Sequence, residues 1–200
     1  MWHWLLVNYL EILGTLTGLI YIVLSIRQKM ALWLVGIVSS ALYIAIFFNS
    51  QLYADMSLNI YYLIVSIYGW YHWHTNKSSK EQASISITTL AIKDWLLYLF
   101  IAGVFTAMFM IILKTIPQLV GWPPSALPFW DGLITAGSIV ATWMLARKIL
   151  EQWLWWIAID ALSGIVFYSK HLYFTSFLFM VYTILALVGF INWKKDYSRQ

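Results

Sequence analysis

The chain has 200 residues, 62% hydrophobic and only 10% charged, with a formal net charge of +4 and a mean hydropathy of +0.76. A soluble domain carries about a quarter charged residues, and at this size it has too much surface to hide so apolar a composition in a core, so a soluble globular protein is excluded. With no cysteine there is no disulfide framework and no thiolate metal site or nucleophile; the positive balance fits membrane orientation and not a nucleic-acid partner, and no cofactor is implied.

A helix needs about 20 apolar residues to cross the hydrocarbon core of a bilayer, and seven segments qualify. The first, 7–26, is too long for a signal peptide and lacks the basic start and cleavage pattern of one. It carries Glu11, Thr15 and Gly18 on one face, and Gly14-x-x-x-Gly18 is a common helix-packing device. The second span, 32–49, brings Ser40 and Tyr43 close together. The third, 54–74, places Asp55, Asn59, Tyr62, Ser66 and Gly69 at helical spacing and ends on Trp70, Tyr71 and Trp73, which are expected as belt residues at the membrane interface. A polar linker, 75–92, contains NKSSKEQ; the fourth span, 93–113, follows, and then a proline-rich loop, 114–129, containing GWPPSALP. The fifth span, 130–147, aligns Asp131, Thr135, Ser138 and Thr142. The sixth, 152–169, opens on WLWWIAID and aligns Trp153, Trp156, Asp160, Gly164 and Phe167. Trp153 and Trp155 follow Arg147 and Lys148 closely, a position typical of interfacial anchors. The seventh, 174–193, carries Tyr182 and Gly189 on a shared face.

Seven spans put the termini on opposite sides. With the N-terminus outside, Arg27, Lys29, Lys77, Lys80, Lys93, Arg147, Lys148, Lys194, Lys195 and Arg199 are cytoplasmic, and only Lys114 and Lys170 are external. The positive-inside rule therefore predicts an external N-terminus and a cytoplasmic C-terminus.

The chain also aligns with itself at an offset of 120: Trp33 meets Trp153, Arg27 meets Arg147, Thr15 meets Thr135, Tyr62 meets Tyr182, Gly69 meets Gly189 and Trp73 meets Trp193. Residues 11–73 match 131–193 without a gap. Four spans separate equivalent helices, so both halves face the same way. The predicted architecture is an all-α polytopic membrane protein with seven transmembrane helices in a 3+1+3 parallel repeat: a first three-helix repeat in 1–74, a linker and connecting helix in 75–129, and a second repeat in 130–200. Parallel repeats of this kind are a transporter architecture, with the substrate site expected between the halves near the midplane.

An ionisable residue inside the membrane is costly and faces the bundle interior or a water-filled cavity. Glu11, Asp55 and Asp131 lie near helix ends, where a helix N-terminus favours negative charge. Asp160 lies deep in the sixth span, one turn from Trp156. Indole faces attract desolvated cations, and a buried carboxylate compensates the charge, so this pair suits a flat organic cation. Asn59, Tyr62, Tyr182 and Thr135 are expected to complete the site. No G-x-x-x-x-G-K-[ST], G-x-S-x-G or H-E-x-x-H occurs, and His3, His72, His74 and His171 form no metal-ligand pattern, so nothing supports an enzyme or a metal site. A non-transporting membrane scaffold or sensor is the alternative of another class.

The stretches TGLIYIVLSIRQ (17–28), LYADMSLNIYYLIVSIYGWYHW (52–73), the W-x-x-W of WLWW (153–156) and HLYFTSFLFMVYTILALVGFINW (171–193) resemble the Pnu vitamin transporter family over nearly the whole chain. The resemblance implies a fold similar to the SWEET sugar transporters and facilitated diffusion of a dephosphorylated vitamin with trapping by a cytoplasmic kinase. It also implies a homotrimer. It carries the two motif tryptophans onto Trp153 and Trp156. Asn59 stands where nicotinamide riboside carriers often have Gln, and Asp160 where they often have Asn. Nicotinamide riboside is the first expectation for the substrate and thiamine the second; both are flat aromatic cations, whereas riboflavin is neutral and larger.

Overall fold

The computed structural model describes residues 2–49, 53–75, 86–121 and 125–200, with side chains for 13–48, 56–75, 86–119, 121 and 125–200. The Glu11 and Asp55 side chains and the NKSSKEQ linker lie outside the described residues. Among the described residues there are seven helices: α1 (Trp2–Ile26), α2 (Ala31–Asn49), α3 (Tyr53–Thr75), α4 (Ile92–Val120), α5 (Pro128–Ala146), α6 (Gln152–Ser169) and α7 (Tyr173–Tyr197). Four of them, α2, α4, α5 and α7, are each long and apolar enough to cross a membrane. The chain divides into two compact units, Met1–Ser86 and Ile87–Gln200, so the connecting helix α4 belongs to the second.

In the first unit α2 packs on both α1 and α3. The α1–α2 connection is a tight helix stop. Gln28 adopts φ 52, its N–H bonds the Ser25 carbonyl at 3.0 Å, and the Lys29 N–H bonds the Leu24 carbonyl at 2.9 Å. This pair of bonds satisfies carbonyls that the helix end would leave open. Just beyond, Trp33 is enclosed between α2 and α3. Its ring meets the edge of Trp73 at 5.3 Å between centroids and 86° between planes. A Cβ at Gly69 would sit 2.5, 2.6 and 2.7 Å from three Trp33 ring carbons, so only glycine admits the indole. Trp73, expected at the interface, is buried in this interlock, whereas Trp70 and Tyr71 are exposed. At the other end of the helix pair, Gly14 leaves room for the Tyr43 hydroxyl, which accounts for its place in the Gly-x-x-x-Gly pattern.

The second unit begins with an extended strap. The Thr88 N–H bonds the Lys148 carbonyl at 3.1 Å and the Leu150 N–H bonds the Thr88 carbonyl at 2.9 Å. The strap leads into α4, whose first turn is stabilised by Asp94 accepting from the Ala91 N–H at 3.3 Å. The expected loop at 114–129 is shorter than the sequence suggests: α4 continues to Val120 with Pro117 inside it. The missing proline N–H costs only the bond to Leu113, and the helix stops at Gly121, which takes φ 73 and donates to the Pro117 carbonyl. α5 starts on Pro128, where the absent N–H was unpaired in any case, and packs closely on α4 because a Cβ at Gly132 would already be 3.2 Å from α4 backbone atoms.

The α5–α6 connection repeats the α1–α2 geometry. Lys148 adopts φ 58, its N–H bonds the Leu145 carbonyl at 2.9 Å, and the Ile149 N–H bonds the Met144 carbonyl at 3.0 Å. Trp153 then repeats Trp33. It meets Trp193 edge-on at 5.7 Å and 83°, and a Cβ at Gly189 would lie 2.6 Å from three of its ring carbons. The interfacial-anchor expectation for Trp153 is therefore corrected, since its indole is 1% exposed and its faces are taken by α7.

Candidate functional site

Two packing contacts fix the direction in which α6 faces. Ile159 and Trp155 lie against Gly137 of α5. Trp153, Gly164 and Phe167 lie against Gly189, Ser176 and Phe179 of α7: the Ser176 hydroxyl donates to the Gly164 carbonyl at 2.8 Å, and the Phe167 and Phe179 rings stack at 5.2 Å and 12°. At about 100° per residue, the arc between these two contacts holds Gln152, Ser163 and Trp156, and Asp160 follows at its α7 edge, between the directions of Phe167 and Trp153. Helices α5 and α7 each pack on α6 but not on each other, so the row starts between the two contacts and ends, at Asp160, on the α7 side.

The row is rich in polar atoms without partners. Gln152 and Ser163 are 0% exposed and Asp160 is 4% exposed. Neither amide atom of Gln152 nor the hydroxyl of Ser163 has a hydrogen-bond partner among the described residues, and no ion pair reaches Asp160 there. A buried polar group left unpaired costs about 1–3 kcal/mol, and native structures tolerate few of them. Trp156, half-buried, sits in the middle of the row.

The equivalent positions of the first unit, 120 residues earlier, are Leu32, Gly36, Ser40 and Tyr43. Leu32 is fully buried. Gly36 is closed over by Ser66 and Tyr21, and Tyr43 fills the space at Gly14. Packing thus fills this row in the first unit, while in the second it carries a carboxylate, an amide and a hydroxyl. The indole N–H groups behave differently. Both Trp33 and Trp153 bury Nε1 without a partner, so that feature comes with the interlock wherever it occurs and carries no information about a ligand.

The other expected residues are placed as follows. Asn59 and Tyr62 are half-buried on α3, with the Tyr62 ring 5.8 Å from Tyr61. Tyr182 meets Phe179 edge-on at 5.9 Å and 86°, which continues the Phe167–Phe179 stack along α7. The Thr135 hydroxyl donates to the Asp131 carbonyl of its own helix at 2.8 Å. Asp131 pairs with Lys170 at 3.1 Å and accepts from Ser125 at 2.5 Å, so its charge is compensated at the start of α5. Trp155 lies among Val140, Met144 and Ile149, away from the row. Among the described residues no three His, Asp or Glu side chains gather as a metal site would require.

Sequence reasoning did not single out Gln152 or Ser163, because it set the phase of the α6 face on Trp153; moving the origin back by one residue recovers both. It also passed over Lys148, which is buried in the α5–α6 turn. Burial pulls its ammonium down to about 8, and the nearby Asp196 carboxylate opposes part of that shift.

Comparison with known proteins fits this arrangement. The sequence pattern of the nicotinamide mononucleotide transporter family matches residues 8–195. The nicotinamide riboside transporter PnuC of Escherichia coli is 31% identical over an alignment covering 93% of this chain and 85% of that protein. The riboflavin/roseoflavin transporter RibM of Streptomyces davaonensis is 27% identical, covering 92% and 83%. A crystal structure of the vitamin B3 transporter PnuC superposes with a TM-score of 0.72 at 25% identity, covering 96% of this chain and 83% of that one. With this family's pattern matched over nearly the whole length, this chain belongs to the nicotinamide mononucleotide transporter family and is a multi-pass membrane transporter, not an enzyme.

Proposed function

We propose that the protein carries nicotinamide riboside across a bacterial inner membrane by facilitated diffusion, with a cytoplasmic kinase trapping the product. The observation that carries this reading is the buried Asp160 carboxylate, without an ion-pair partner among the described residues, one turn from the half-buried Trp156. A flat pyridinium cation would satisfy both, by stacking on the indole and by charge compensation. The relatives named as nicotinamide riboside transporters support the choice of this cation. Tyr182 joins the proposed contacts from α7 and Thr135 from α5. Trp153 supports the row from behind through its interlock with α7.

In this reading all seven helices cross the membrane in a 3+1+3 parallel repeat similar to the SWEET arrangement. That is supported by the matching turns at Gln28 and Lys148 and the matching tryptophan pairs. A periplasmic N-terminus and cytoplasmic C-terminus are supported by the ten-to-two distribution of Lys and Arg. A homotrimer completes the reading, by family resemblance.

The purified protein is screened for binding of nicotinamide riboside, thiamine and riboflavin, and each ligand that binds is then tested for flux in proteoliposomes. The expected result is selective binding of nicotinamide riboside and equilibration to equal concentrations regardless of a proton or sodium gradient. Selective binding of thiamine or riboflavin would replace the substrate, gradient-driven accumulation would replace the mechanism, and binding without flux would make the chain a sensor.

A further inference from the structure

The row on α6 contains an amide, Gln152, and a hydroxyl, Ser163, that a flat cation and its counter-charge leave unexplained, and the amide is the more demanding of the two. Gln152 lies at the first position of the helix, is fully buried, and has neither an acceptor for Nε2 nor a donor for Oε1 among the described residues. An unpaired amide is expensive twice over, because it buries a donor and an acceptor together. The fold does not require it, since the first unit buries Leu32 at the equivalent position.

We infer that Gln152 is a specificity-determining residue that recognises a primary carboxamide on the transported ligand through a paired donor–acceptor contact. Its Nε2–H donates to the carboxamide oxygen and its Oε1 accepts from the carboxamide N–H, so both orphaned atoms are satisfied by one group. A carboxylate in the same place presents acceptors only. It would satisfy Nε2 but set an oxygen against Oε1. A hydrophobic substituent would satisfy neither.

The spacing along α6 suits such a ligand. At 1.5 Å rise per residue, Trp156 lies ~6 Å and Asp160 ~12 Å along the axis from Gln152. A ligand with an amide at one end, a flat cationic ring in the middle and a hydroxyl-rich group at the other meets, in order, an amide, an indole, and a carboxylate with the Ser163 hydroxyl beyond it. The inference rests on the reading of this row as the substrate site, and it adds which end of the ligand meets which end of α6.

The test uses the full-length protein in detergent with two probes, nicotinamide riboside and nicotinic acid riboside, which differ only in amide against acid. Gln152→Leu places at this position the residue that the first unit already buries there; Gln152→Met, unbranched and of similar length, serves if the leucine variant does not fold. The wild-type protein is expected to bind the amide at least 10-fold more tightly than the acid. In the variants, affinity for the amide falls roughly 10- to 100-fold, affinity for the acid changes little, and the preference collapses to within a few fold. An unchanged preference in a folded variant overturns the inference and leaves Gln152 as a scaffold amide. An equal loss for both probes overturns it as well. If the wild-type protein binds neither riboside, the proposed substrate falls and the inference with it; failure of the inference alone leaves wild-type binding of nicotinamide riboside intact.

Discussion

A single methyl group added at Gly189 tests whether the Trp–Gly interlock governs the α6–α7 contact. The new Cβ would lie 2.6 Å from Cη2, Cζ2 and Cζ3 of Trp153, where ordinary contact begins at 3.4 Å. The shortfall of about 0.8 Å cannot be absorbed by a side-chain rotation, because the indole is rigid, 1% exposed and held edge-on by Trp193. Helix α7 must therefore move away. Overpacking of this kind costs about 1–3 kcal/mol, and alanine returns up to ~1 kcal/mol of helix propensity over glycine. Gly189→Ala is thus expected to destabilise by about 1–2 kcal/mol, roughly 2–8 °C in melting temperature for a chain of this size. The three clashing carbons all belong to the six-membered ring of the indole, the part that extends beyond the reach of a phenylalanine. In a Trp153→Phe background the clash is gone and only the propensity gain of up to ~1 kcal/mol remains, so the same glycine substitution should be neutral to slightly stabilising, giving a coupling equal to the overpacking cost of about 1–3 kcal/mol in a double-mutant cycle. Thermal unfolding of the four proteins in one detergent supplies the cycle. Equal losses in both backgrounds would refute the reasoning.

At the α6 row, Trp156→Ala should weaken binding of a cationic substrate by about 0.5–2 kcal/mol in an equilibrium titration, while Trp155→Phe, away from the row, should leave it unchanged. Asp160→Asn should cost a cationic ligand more affinity than a neutral isostere of the same shape; equal losses would leave Asp160 a structural residue. Lys148 is held near 8 in the folded protein and returns to about 10.4 on unfolding, so the unfolded chain binds the extra proton between those values. Stability should therefore rise with pH across that window, and the difference between wild type and Lys148→Met, followed by denaturation at several pH values, should show the rise only in the wild type. A reporter fused after Gln200 should be active in the cytoplasm and silent in the periplasm.

The helices were legible from apolar run length, and most boundaries fall within a few residues of those expected. The exceptions have physical causes. Pro117 reads as a loop residue because proline breaks helices, yet near the end of α4 it removes only one hydrogen bond. Trp73 and Trp153 read as interface anchors because they sit at span ends, near basic residues in the case of Trp153. Their burial depends on Gly69 and Gly189 opening a slot on a neighbouring helix, a relation between helices that span-by-span reading does not contain. The repeat carried the clue, since tryptophan and glycine recur together at the same offset. For the site, Trp156 and Asp160 were visible as polar or aromatic intrusions in an apolar span. Gln152 and Ser163 were not, because the face of α6 is set by where α5 and α7 touch it, and one residue of phase turns a helix by about 100°.

The left-handed turns at Gln28, Lys148 and His171 bear on mechanics. Glycine is the usual occupant of such a position because it has no Cβ to crowd. A side chain there confines the backbone to one narrow well, and two hydrogen bonds close each turn on both sides. A glycine joint could swivel; these cannot without breaking both bonds. The helix pairs α1–α2, α5–α6 and α6–α7 are therefore joined by struts, and force applied to one member of a pair is passed to the other as displacement and not dissipated as bending.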